Sequence, residues 1–296
     1  MGEKPDSASD HLAWAWAQQR VWSQTANRLK QRIDQARAVA LVLAIAAATL
    51  AVAAVQVAGL ASWAGRTLGA AAAISAGLGP MSQRRAGTEQ IRAWTRARSA
   101  SEALKTEVYS YLAGGSAYAG DDRVRHLGEA TRGIVADVAD LQRLSLGITA
   151  DGKPVPAVTG IDTYISKRVN AQITGYYRPK AALYEQRVKQ LRTVGDLLAV
   201  VAVVFAGVAA SFDVAGLAAW VPVATTAGTS VIAYVAAARY DHQIIEFLRT
   251  AQQLDGLLGS RADTPTGNAA LVDACEDKIS IENQGWMARW VSGENN

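Results

Sequence analysis

The sequence predicts an all-α membrane protein: four transmembrane helices, arranged as two parallel-repeat hairpins on long cytosolic helical stalks, with amphipathic cytosolic helices besides. Three observations predict it. The chain carries long uncharged apolar runs, basic residues gather on one side of each pair of runs, and the second half realigns with the first at an offset of 155 residues that becomes 153 past the second run.

Of 296 residues half are apolar, 19% are charged and only three are Phe. The apolar content is dominated by Ala, Val and Leu, a palette that suits close helix packing more than a bulky soluble core. A lone cysteine, Cys275, excludes an internal disulfide and fits a reduced compartment. Residues 1–12 read as a flexible N-terminus. Glu3, Asp6 and Asp10 stand where a secretory leader would be basic, so no signal peptide is expected. The net charge of +4 is mild. Nucleic-acid binding would need a basic stripe with interleaved aromatics. Here the charges bracket apolar segments instead, so the expected partner is the lipid bilayer and not nucleic acid.

The first two-span unit covers residues 13–146. Its first span, about 38–58, lies in a stretch without an ionisable residue from Ala38 to Gly65. About 20 apolar residues cross a hydrocarbon core. The second span, about 62–83, is made of Gly, Ala and Ser and is only weakly apolar; it reaches sufficient length if Arg66 snorkels outward. The second unit covers residues 161–296, with spans at about 194–212 and 216–238. Residues 147–160, rich in Gly and Pro with no apolar period, read as the linker between the units.

Basic residues set the orientation. Arg28, Lys30, Arg32 and Arg37 precede span one, and Arg84, Arg85, Arg92, Arg96 and Arg98 follow span two. Lys180, Arg187, Lys189 and Arg192 precede span three, and Arg239 and Arg249 follow span four. Between paired spans stand only Arg66 and Asp213. The positive-inside rule then places both termini and the linker in the cytosol, in a multi-pass protein of the bacterial plasma (inner) membrane.

Shifted against itself, the chain aligns Trp22 with Tyr177, Ala26 with Ala181, Gln31-Arg32 with Gln186-Arg187, Arg37 with Arg192 and Leu43-Ala44 with Leu198-Ala199. Past the spans Trp94 meets Phe247, Arg96 meets Arg249, Glu102 meets Asp255 and Leu104 meets Leu257. Two spans per unit make this a parallel repeat.

Outside the membrane, Ala13–Arg37 has no helix breaker before span one and predicts one continuous stalk helix. In the second copy Pro179 starts or kinks the equivalent stalk. Ser99 and Glu102 form a capping-box pattern ahead of Ala103, Leu104 and Val108, and Gly114-Gly115 ends that segment. Amphipathic helices follow at Asp122–Leu144 and Asn268–Val291.

The segment Trp94–Gly120, WTRARSASEALKTEVYSYLAGGSAYAG, follows paired spans and precedes a final helix. It resembles the SLATT family, the SMODS and SLOG-associating two-transmembrane effector domains. The resemblance lies in a post-membrane signature at Arg98, Ala100, Glu102, Leu104, Glu107, Tyr111, Leu112, Gly114 and Tyr118. In the second copy QITGYYRPKAALYEQRVKQLRTV resembles the family's stalk, and the signature shrinks to Arg249, Leu254, Asp255 and Leu257. The resemblance, as two tandem copies, covers nearly the whole chain. It implies a role in bacterial conflict systems beside proteins that make or sense nucleotides. It also implies pore formation when triggered, with no conserved catalytic set. The expected input is then a cytosolic sensor protein or a nucleotide signal.

No residue pattern points to an enzyme, a metal or a cofactor. His11, His126 and His242 lack partners at ligand or triad spacing, there is no phosphate-binding loop, and Glu102 and Glu107 diverge on a helix, where capping and solvation account for them. The pore-lining candidates are the polar residues of the second pair of spans: Asp196, Thr225, Thr226, Thr229 and Ser230. Asp196 either functions in the span or forms an i,i+4 ion pair with Arg192. The Thr and Ser residues share a face that either lines a water-filled path or bonds helices together. Gly65, Gly69, Ala73 and Gly77 form a small-residue packing stripe on span two, to be buried against the other hairpin or a second subunit. The expected function is an oligomeric pore- or channel-forming effector gated from its cytosolic helices; the alternative is a non-conducting membrane scaffold that anchors a cytosolic docking surface. A transporter is disfavoured, because no broken helix or mid-membrane charge pair is present.

Overall fold

The computed structural model describes residues 8–262 and 264–292, and among them all regular structure is helical. Helix α1, Ala8–Ala58, runs unbroken for 51 residues. Nothing in that stretch is Gly or Pro, so no backbone hydrogen bond is lost until Gly59. Its length is about 77 Å at 1.5 Å per residue. Helix α2 is Ser62–Arg84, and α3 is Thr88–Ala113. Helix α3 stops where Gly114 takes a left-handed φ of 76° and the Gly115 amide turns back onto the Ser110 carbonyl. Helix α4 is Arg123–Asp137, followed by a 3₁₀ run at Ala139–Ser145. Helix α5, Ile161–Phe212, is again continuous, with π-helical turns at Ile165–Asn170 and Ile173–Tyr177. Helix α6 is Val221–Ala238, α7 is Tyr240–Gly259 and α8 is Pro265–Ser292. Pro222 and Pro265 sit in first turns, where a missing amide costs nothing.

The chain forms two compact units, each drawing on residues from both halves of the sequence. One holds residues 32–87 and 182–244 and contains every predicted span. The other holds residues 1–31, 88–181 and 245–296 and contains the polar helices. Helices α1 and α5 contribute a part to each unit.

In the apolar unit, three helical stretches are long and apolar enough to cross a membrane: those ending α1 and α5, and the one beginning at Gly216. Only 6% of the α1 apolar window is buried by protein, so Val39, Val42 and Val55 are left facing outward. An outward apolar face of this length is what lipid requires. Helix α2 has the length but not the hydropathy, so the fourth span does not reach that standard. It is pinned to α1 at Gly65, where an added Cβ would lie 2.7 Å from Ala58 Cβ and 2.9 Å from the Ala54 carbonyl oxygen. Gln56 donates to the Gly216 carbonyl at 2.6 Å, tying the end of α1 to the entry of the last span.

In the polar unit, α3 packs mainly on α8 and α4. Its buried face runs through Ile91, Trp94, Ala97, Ser101, Leu104 and Val108, the 3.6-residue period of one helix stripe. Ala15 of α1 joins Val108, Tyr111, Tyr118 and Leu127 in one apolar cluster. The predicted linker is more than a tether. Asp151 pairs with Arg20, Lys153 accepts from the Trp16 indole at 2.9 Å, and Thr149 accepts from Gln24 at 3.1 Å. Residues 147–160 are therefore strapped along the first turns of α1.

The capping-box reading is corrected. Helix α3 begins at Thr88, so Ser99 and Glu102 stand mid-helix. Their amides are already bonded within it, and Glu102 does other work.

Candidate functional site

A cluster of buried charged residues lies in the polar unit, where α3, α5 and α8 meet. Apolar periodicity brings these helices together: Leu104 and Val108 from α3, Tyr164, Val169 and Ile173 from α5, and Val272, Cys275 and Ile279 from α8 are all buried. Two charged residues fall on those same faces. Arg168 is 1% exposed and Glu276 2%. Arg168 sits in a π-helical turn, whose altered register turns both it and Val169 inward.

Arg168 donates from Nε to Glu276 Oε1 at 2.8 Å and from Nη2 to Oε2 at 2.7 Å, the bidentate fork that a carboxylate matches best. The Tyr164 hydroxyl donates to Oε1 at 3.0 Å and the Thr106 hydroxyl to Oε2 at 2.8 Å. All four acceptor positions of Glu276 are thus used. The guanidinium lies over the Tyr109 ring, 4.7 Å from its centroid. With the Gln172 amide oxygen turned inward, it accepts from Arg168 Nη1 at 3.0 Å and Lys105 Nζ at 3.3 Å. One turn along α3, Glu102 is 6% exposed and pairs with Arg98 at 2.8 Å. Farther along, the Tyr118 hydroxyl donates to Glu107. Glu102 is therefore a buried ion-pair partner, which corrects the expectation that solvation accounts for it.

The electrostatics follow from burial set against charge. Burial would raise the Glu102 carboxyl, but Arg98, Lys105 and Arg168 outweigh it and hold it at about 2. Burial lowers the part-buried Lys105 to about 8, aided by Arg168 and Arg98 and opposed by Glu102 and Glu276. Arg168, disfavoured by burial, is held charged by Glu276. The Tyr164 hydroxyl is pushed up by burial and by Glu276, and the Cys275 thiol is pushed up to about 12 for the same two reasons. The cluster therefore contains fixed charges and protonated neighbours. It offers no activated thiolate. What it can do is hold three helices in one register, because any relative shift would strand a charge out of water.

The predicted span residues are placed differently. Thr225, Thr226 and Thr229 are exposed and Ser230 is half-buried. The Thr225 hydroxyl donates to the Val221 carbonyl and that of Thr229 to the Thr225 carbonyl, each at 3.0 Å. The buried face of α6 is instead Ala224, Ala227, Gly228 and Val231. Asp196 is exposed. The expected pairing of Arg192 with Asp196 is corrected: Arg192 donates to Asp241 at 2.8 Å. The reason is the left-handed Arg239, φ 49°, which ends α6 and turns the first residues of α7 toward the stalk. Of the small-residue stripe, Gly65 and Gly69 face α1, while Ala73 is exposed and Gly77 meets nothing within 4 Å. The structure thus gathers none of the pore-lining candidates into an internal path within the apolar unit.

Sequence reasoning passed over Arg168, Glu276 and Lys105. A signal was available: Arg168 stands four residues after Tyr164 and five before Ile173, and Glu276 four after Val272 and three before Ile279, each among buried apolar positions. A charge at a core position of an amphipathic helix marks a buried pair.

Residues 164–286 match the family described as SMODS and SLOG-associating 2TM effector domain 1. Residues 20–125 match the family described as Protein of unknown function (DUF4231). No curated protein and no solved structure matches the chain. Arg168 and Glu276 lie within the first matched range, and Glu102 and Lys105 within the second. The effector-domain likeness thus rests on the second half alone, and two tandem copies of that domain are not what the matches give.

Proposed function

We propose that this chain is an oligomeric bacterial membrane effector that forms a pore or channel, opened from its polar helical unit. The observation that carries the reading is the match of residues 164–286 to a two-transmembrane effector domain. Helix α5 adds to it, because one unbroken helix carries Arg168 near one end and an apolar span at the other. A displacement at the charge cluster would be passed along that helix to the membrane. We read four spans, both termini on the cytosolic side of the inner membrane, and a diverged internal repeat. The repeat reading is supported by burial, since Trp22 and Tyr177, Ala26 and Ala181, and Trp94 and Phe247 are all buried. A cytosolic sensor protein or a nucleotide supplies the trigger, and no catalysis is assigned.

Because Thr225, Thr226 and Thr229 face outward, any path they line is formed between subunits. Purified protein in planar bilayers is expected to conduct when the trigger is supplied, and Thr226→Trp or Thr229→Trp to reduce the current. Unchanged currents in both variants would reject this lining. One observation favours the alternative of a non-conducting scaffold: the Thr225 and Thr229 hydroxyls are satisfied by their own helix, so they can face lipid without a partner. A monomeric mass in detergent together with silent bilayers would decide for the scaffold.

A further inference from the structure

We propose that the second hairpin carries a binding site for the phosphate headgroup of an acidic phospholipid. A pocket of about 540 Å³ opens in the apolar unit, lined by Arg187, Gln190, Leu191, Val194, Tyr234 and Tyr240. That volume lies in the range of small-ligand sites. Four of its residues stand at i, i+3, i+4 and i+7 on α5, so one helix face supplies them in a fixed order. Arg187 and Gln190 come first, then Leu191 and Val194, just before the uncharged run that begins at Leu197. The pocket is therefore polar at the stalk end and apolar at the span end. A phospholipid has the same gradient, with a charged head and an acyl chain.

The head end is prepared for an anion. Among the described residues Arg187 makes no ion pair, whereas its neighbours Lys189 and Arg192 are engaged by Glu185 and Asp241. Tyr240 is held from two sides: its ring lies tilted against that of Tyr184, centroids 5.1 Å apart, and its side chain is hydrogen-bonded to Tyr234. Tyrosines at this level suit a membrane boundary, where one end of the ring is dry and the other wet. Asp34 of α1 and Arg187 of α5 both act on Tyr234, so the tyrosine stands between an acidic and a basic group. Basic pockets between spans bind lipid headgroups by this logic. A free phosphate would use Arg187 but leave Leu191 and Val194 uncovered.

The site requires insertion in a membrane but not conduction, so its test is read without any current. The full chain is reconstituted in phosphatidylcholine with a minor share of phosphatidylglycerol, re-extracted in detergent, and its retained lipid is measured by mass spectrometry. Phosphatidylglycerol is expected to be enriched about five-fold over the bulk mixture, the worth of one basic residue at the surface. Arg187→Gln should abolish the enrichment, and Val194→Trp should do so by filling the apolar end with Arg187 intact. Lys189→Gln, with the same change in charge, should leave it. Equal loss in Lys189→Gln would reduce the effect to general surface charge and overturn the site. Enrichment that survives both Arg187→Gln and Val194→Trp would also overturn it. Displacement of phosphatidylglycerol by inorganic phosphate at equal concentration would assign the pocket to a soluble anion and reject the lipid.

Discussion

At the scale of single residues, the Arg168–Glu276 pair dominates. Burying two charges costs several kcal/mol each, and the four hydrogen bonds to Glu276 recover it only while all are made. Removing one partner is therefore worse than removing both. Arg168→Met or Glu276→Leu alone is expected to destabilise the protein by about 3–5 kcal/mol in thermal or denaturant unfolding, with the double variant recovering much of that loss. A double variant no better than the sum of the singles would refute the coupling.

Two neighbours titrate with opposite consequences. Glu102, held at about 2, favours the folded state above the ordinary carboxylate range, and this contribution is lost as pH falls from about 4.5 toward 2. Lys105 is a base lowered to about 8, so between pH 8 and 10.5 the unfolded chain binds more protons and stability rises with pH. Lys105→Gln should remove that alkaline rise and, by relieving the burial of a charged amine, stabilise the protein at pH 7. Unfolding midpoints measured across that range in both proteins check the sign. Cys275, fully buried with its thiol raised to about 12, is expected to resist alkylation until the chain unfolds.

At the scale of elements, helix contact in the apolar unit depends on where side chains are absent. Gly65→Val is expected to separate α2 from α1, because the added Cβ collides with backbone atoms of Ala54 and Ala58 that cannot move aside. Gly77→Val, with open space around it, should be tolerated in the subunit alone. Thermal stability in detergent distinguishes them, and equal losses would show that Gly77 is also buried, by another subunit. The long helices were legible in the sequence because α1 has no Gly or Pro to interrupt it. The start of α3 was not, because the capping-box pattern at Ser99 and Glu102 is local, whereas burial of Glu102 comes from the tertiary fold.

At the scale of the whole molecule, the basic residues that bracket the apolar stretches set the expected orientation. A cysteine placed at Ser62 should be labelled from outside intact cells, and one at Ser292 only after permeabilisation; the reverse result would invert the topology. The match to a two-transmembrane effector domain lies at residues 164–286, in the second half of the chain. The structure divides the chain otherwise, by polarity: residues 32–87 and 182–244 form the apolar unit, and residues 1–31, 88–181 and 245–296 the polar one.

The sequence by itself determined that the chain is helical and carries membrane-spanning stretches, because both follow from local runs of residue type: length without charge, and helix without breakers. The basic residues that bracket the apolar runs are equally one-dimensional. Only the tertiary structure decided that Arg168 and Glu276 meet, that Arg192 turns to Asp241 and not Asp196, and that the threonines of α6 face away from its packed side. Each of these depends on which distant helix occupies a face, and hydrogen-bond partners separated by a hundred residues leave no local trace beyond a charge on an apolar stripe.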